Sequence, residues 1–151
     1  MPWELQIRLP DGSGSLGSLE QVQAMLRAAL PEIELFRDAS GLEKLAAMEA
    51  SGVTVPDVIR EHWLRSKGAY QGVIEAGALT FEFYLGEDET AVRVVLVEVR
   101  GSGDPMPVVE RITSVPGWKV VDARGAPPTV ESWKSFGAWR DDAIGRIDGA
   151  D

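Results

Sequence analysis

The sequence has no cysteine and a single histidine, His62, among its 151 residues. Without thiols there is no disulfide framework, no cysteine nucleophile and no thiolate-held zinc or iron–sulfur centre. One imidazole excludes a multi-histidine metal site and makes any Ser-His-Asp scheme depend on that residue. Basic residues are also scarce: 15 Lys and Arg stand against 24 Asp and Glu, a formal net charge of −9. That balance argues against a nucleic-acid binder or a protein of anionic membranes, since each needs a cationic footprint. No apolar run approaches the ~18 residues of a transmembrane helix. The start, Met1-Pro2-Trp3-Glu4, lacks the basic-then-apolar layout of a signal peptide. A soluble, cytoplasmic protein is therefore the default expectation.

What is present reads as one α+β domain spanning residues 1–151, with 44% hydrophobic and 26% charged residues. Trp3, Leu5, Ile7 and Leu9 alternate with Glu4, Gln6 and Arg8, the pattern of a half-buried strand. Residues 10–17, rich in Gly and Ser, read as a flexible loop. Two capping boxes follow, Ser18-x-x-Gln21 and Ser40-x-x-Glu43, each opening a helix. Thr54 and Pro56 predict the start of a third helix, with Val55, Val58, Ile59 and Trp63 as its inner stripe.

Tyr70–Glu75, Leu79–Leu85 and Ala91–Arg100 read as strands of an antiparallel meander. Pairing Leu85 with Thr90 places Phe83 by Val92, Phe81 by Val94 and Leu79 by Leu96. All the apolar side chains then share one face. The same register sets Glu82 opposite Arg93, a favourable cross-strand pair. Asp104-Pro105 predicts a fourth helix, Trp118–Asp122 a last strand, and Thr129 the cap of a C-terminal helix over 130–147. The expected architecture is a sheet of four to six strands with helices mainly on one face.

The formal motif is Gly12-x-Gly14-x-x-Gly17, with Asp38 21 residues beyond Gly17. That layout is shared by dinucleotide-binding turns, in which glycines admit pyrophosphate and the acid holds a ribose hydroxyl. Against it, the preceding strand alternates where a parallel strand would be apolar on both faces, and Pro10-Asp11 intervenes. Arg100-Gly-Ser-Gly-Asp104-Pro105 is a second glycine-bearing loop, where Asp104 is expected to cap the helix and Arg100 to pair with Glu98. Trp133 and Trp139 are six residues apart, so a helix points them about 120° from each other. With Trp133 packed beside Phe136, Trp139 is free to anchor an interface next to Arg140.

No catalytic, cofactor or metal set assembles from these residues, and no cofactor is expected. The candidate surface residues are Glu82, Arg93, Arg100, Asp104, His62 and Trp139. The expected function is a non-enzymatic protein-binding module, inhibitor- or immunity-like, toward a partner with a basic surface. The alternative is a small-molecule or nucleotide-binding enzyme using the glycine-bearing loops. Nucleic acid and membrane are not expected partners, and the oligomeric state stays open.

Overall fold

A computed structural model describes residues 2–12 and 14–138. The expected α+β class is what it shows, with six strands forming one wholly antiparallel sheet among the described residues. The elements run β1 (Trp3–Arg8), α1 (Leu19–Ala29), β2 (Glu34–Arg37), α2 (Gly41–Ala50), α3 (Asp57–Arg65) and β3 (Tyr70–Ala76). They continue with β4 (Leu79–Gly86), β5 (Val95–Gly101), α4 (Met106–Thr113) and β6 (Lys119–Asp122). A final helix, α5, is described over 130–138. The strand order is β2-β3-β4-β5-β1-β6, so the first strand lies between the fifth and the last.

Period-two alternation sends one side of each central strand into the core. Trp3, Leu5 and Ile7 meet Val95, Val97 and Val99 and, further along the sheet, Phe81, Phe83 and Ile74. Leu19, Val22 and Leu26 of α1 and Val108, Val109 and Ile112 of α4 cover that side. Arg111 fastens α4 to the end of α1, donating from Nε to the Ala29 carbonyl at 3.1 Å and pairing with Glu32. Trp133 of α5 closes the layer, tilted against Trp3 at 5.3 Å and stacked on Phe136 at 6.0 Å. Its indole N–H donates to the Gly103 carbonyl at 2.8 Å. No helix among the described residues is long and apolar enough to cross a membrane.

Both capping boxes form as the sequence predicts, with side-chain and backbone bonds in each direction. Two helix starts differ. Pro56, not Thr54, is the N-cap residue of α3, and Pro105 is that of α4. Asp104 still acts at the start of α4, where its carboxylate accepts the Met106 N–H at 3.0 Å.

The larger correction concerns β5. Phe81 pairs with Val99 and Phe83 with Val97, five residues from the register expected of a tight β4–β5 hairpin. An odd shift exchanges the two faces of a strand. Leu96 therefore lies on the outer face, Val94 is exposed just before the strand, and Val95, Val97 and Val99 fill the core. The cause is in the connection over 87–94, which is drawn across to the β1–α1 loop. Val92 exchanges backbone bonds of 2.8 Å with Leu16 and Gly17, and the Glu89 carbonyl accepts the Leu19 N–H at 3.0 Å. Burying Leu16 and Val92 offsets the longer excursion. The β3–β4 register shifts by two residues instead, which leaves its faces as expected: Ile74 faces Phe81.

Candidate interaction face

The helices α1 and α4 pack on one side of the sheet; the other side carries mostly polar side chains on its central strands, while Val121, paired with Gln6 at the β6 edge, is buried there. The observed registers arrange the side chains of that outer side in transverse rows. One row runs Glu34, Val73, Glu82, Glu98, Glu4 across β2, β3, β4, β5 and β1. The adjacent row runs Phe36, Gln71, Tyr84, Leu96, Gln6 across the same strands. Carboxylates thus line up beside a row containing two aromatics and a leucine. Phe36 is 47% exposed and Leu96 43%.

Like charges directly opposite on neighbouring strands destabilise a sheet, yet Glu98 has Glu82 on one side and Glu4 on the other. Arg100, two residues along β5 on the same face, partly compensates. Its guanidinium lies 2.9 Å from a carboxylate oxygen of Glu82 and 2.9 Å from one of Glu98. The Tyr84 hydroxyl donates to Glu82 at 2.6 Å and lies 3.4 Å from Glu98. Donation to Glu82, partial burial and the two negative charges push the phenol up to about 12. A phenol so placed exchanges no proton near neutral pH. The cluster offers charge and hydrogen bonds. Beside it, between β1 and β5, Glu4, Gln6, Leu96, Glu98 and Ala123 border a recess of about 190 Å³.

The structure brings together two of the residues singled out from sequence, Glu82 and Arg100. Arg93 is not opposite Glu82; it lies exposed in the 87–94 connection, and Glu98 occupies the position expected for it. Asp104 sits at the start of α4, engaged with the Met106 N–H. His62 is exposed on α3. Trp139 lies outside the described residues. Sequence reasoning passed over Glu4, Glu34, Phe36, Tyr84 and Leu96 as members of one face. The alternation of β1 already turned Glu4 outward, and the correct β5 register would have added Glu98 and Leu96.

The Gly12–Gly17 loop does not stand in the βαβ setting of a dinucleotide-binding turn. β1 pairs antiparallel with both neighbours, so Gly12, Gly14 and Gly17 do not open a βαβ unit. The first amides of α1 are already engaged: Leu19 with the Glu89 carbonyl and Gln21 with Ser18 Oγ at 3.2 Å. Asp38, which the motif's layout would set on a ribose hydroxyl, pairs with Lys44 at 3.1 Å.

A separate groove of about 640 Å³ lies where β2 and β3 meet the β4–β5 connection, bordered by Arg37, Lys67, Tyr70, Glu87 and Glu89 among others. Its polar groups largely satisfy one another: Tyr70 donates to Glu89, Ser66 to Glu87 at 2.9 Å, and Arg37 to the Lys67 carbonyl at 2.8 Å. Among the described residues no three or more His, Cys, Asp or Glu side chains are grouped so as to hold a metal ion. Comparison with protein-family models, curated proteins and solved structures finds no significant match.

Proposed function

We propose that the protein is a binding module whose outer sheet face docks a protein with a basic surface. The observation that carries this reading is the row of carboxylates Glu82, Glu98 and Glu4 on three adjacent strands, with Glu34 beyond Val73, running beside the row of Phe36, Tyr84 and Leu96. Two directly opposed glutamate pairs cost stability in the free protein. A cationic partner would relieve that cost, so the arrangement favours association. The neighbouring aromatic and aliphatic side chains supply the apolar contact that interface cores need. The recess between Glu4 and Glu98 has room for one lysine or arginine side chain of the partner, with Leu96 against its aliphatic stem.

The net charge of −9 adds long-range attraction toward such a partner and speeds encounter at low salt. An inhibitor- or immunity-like role toward a basic protein fits this chemistry, and cytoplasmic residence is part of the same reading. The test is affinity capture with the wild-type chain and with a Glu4→Gln, Glu82→Gln, Glu98→Gln triple variant. Retention of the same basic protein by both chains would refute it.

A further inference from the structure

β5 is an interior strand whose sequence suits either face. In the observed register Val95, Val97 and Val99 point into the core, while Leu96 is 43% exposed and Val94 37%. Sliding the strand by five residues against β4, about 17 Å at roughly 3.4 Å per residue, gives the pairing of a tight hairpin. Val92, Val94 and Leu96 then meet Phe83, Phe81 and Leu79 on the core face, three apolar side chains for three. Residues 97–101 run past Leu79 into the connection to α4, so the slid register is the minor one.

Charge pulls the other way. As observed, Glu98 stands between Glu82 and Glu4. After the slide, with β1 and β4 in place, Arg93 occupies that position. Two like-charge pairs become two opposite-charge pairs, and a cation interrupts the carboxylate row. What holds the observed register is a clasp outside the β4–β5 ladder. The Val92 carbonyl accepts the Leu16 N–H and the Val92 N–H donates to the Gly17 carbonyl, each at 2.8 Å. The Glu89 carbonyl accepts the Leu19 N–H at 3.0 Å. Leu16 and Val92 are both buried. A Val92 drawn back to Phe83 leaves the clasp open.

We infer that β5 is a two-register strand: the clasp holds the register that displays Glu98, and its opening lets β5 slide and set Arg93 between Glu82 and Glu4. The slide breaks the ladders to β4 and β1, so it passes through local unfolding and is slow. That it switches the sheet face between a partner-binding and a self-neutralised form rests on the function proposed above; the register exchange itself does not.

The chain has no cysteine, so introduced pairs report the register without background. Tyr84→Cys with Leu96→Cys places the two thiols opposite each other in the observed register. Thr80→Cys with Val95→Cys places them opposite each other only after the slide. As observed, Thr80 pairs with Arg100, and Val95 lies five residues from that position on the core face, beyond disulfide reach. The test is the rate of disulfide closure of the full chain in a thiol redox buffer, in otherwise wild-type protein and with Leu16→Pro or the milder Leu16→Ala. The first pair is expected to close readily. The second is expected to close slowly, about tenfold or more faster once either Leu16 change weakens the clasp. Adding Arg93→Glu should slow it again, because the slid row then holds like charges. Circular dichroism checks that each variant is folded, and Leu16→Ala decides if Leu16→Pro is not. Failure of the second pair to close in folded Leu16→Ala would overturn the inference. Closure indifferent to Arg93→Glu would overturn it as well, since general unfolding would then explain the bridge. No partner enters these measurements, so their outcome stands apart from that of affinity capture.

Discussion

Glu82 and Glu98 stand directly opposite each other on β4 and β5, and the guanidinium of Arg100 lies 2.9 Å from both carboxylates. The arrangement holds two like charges together on the side of the sheet opposite the core helices α1 and α4. Arg100 is half-exposed, so each of its ion pairs contributes little by itself. Its larger role is to offset the repulsion between the glutamates.

Replacing Arg100 with Ala is accordingly expected to lower stability by about 1 kcal/mol at low salt, less as ionic strength rises. Adding Glu98→Gln should recover most of that loss, because the repulsion goes with the charge. Urea denaturation of the two single variants and the double variant measures the coupling. Additive effects would mean that the three groups act independently.

Tyr84 gives the cluster a pH signature. Its phenol is held protonated up to about 12, above the ordinary value near 10. A raised value means that the stabilisation is complete below about pH 10 and disappears as pH climbs through about 12. Ultraviolet titration should show Tyr84 ionising late, and Glu82→Gln should move it back toward the ordinary range. Tyr84→Phe is expected to cost about 1 kcal/mol at neutral pH.

Asp122, at the end of β6, is the buried charged residue of the described core. Burial alone would raise its carboxyl. The backbone N–H groups of Ala126 and Arg124, at 3.1 and 2.9 Å, and the Arg124 guanidinium outweigh burial and hold it low. Asp122→Ala leaves both amides without an acceptor and should cost about 2 kcal/mol, with Asp122→Asn costing less. Because its value is depressed, the aspartate stabilises the fold above about pH 4 and ceases to as pH falls through the lowered value. Acid unfolding of wild type and Asp122→Asn, compared between pH 2 and 5, should converge at the acid end (roughly the range set by ordinary carboxyl values).

Gly41 controls the α2–α3 crossing. A methyl group there would collide with backbone at Trp63, where no side chain can swing away. Gly41→Ala is expected to destabilise by about 1–3 kcal/mol, although alanine is the better helix former. Hydrogen exchange should localise the loss to residues 41–65, with the central strands little changed.

Local signals made much of the fold legible. Ser18 with Gln21 and Ser40 with Glu43 fix two helix starts through reciprocal bonds that depend on neighbours three residues apart. The alternation of β1 and β4 identifies their core faces because both strands are buried on one side only. β5 is apolar on both faces at Val94–Val97, so periodicity allows either orientation. The choice is made by a contact distant in sequence, Val92 with Leu16 and Gly17. The glutamate row depends on that choice: Glu82 and Glu4 are visible as outward residues of their own strands, but that Glu98 stands between them follows only from the register. The α3 stripe misled for the opposite reason. Helical spacing at Val55, Val58 and Ile59 signals an apolar face without saying whether this chain covers it, and Val58 and Ile59 face water.

The central claim is that the carboxylate row on the outer sheet face recognises a basic protein. Its most direct test is the affinity of that captured partner for the wild-type chain and the Glu4→Gln, Glu82→Gln, Glu98→Gln variant, measured at low and high salt. The account predicts tight, salt-sensitive binding by wild type. It also predicts a loss of about tenfold or more in the variant at low salt, with the difference narrowing as salt screens the charges. Equal affinities for the two chains at low salt would contradict it.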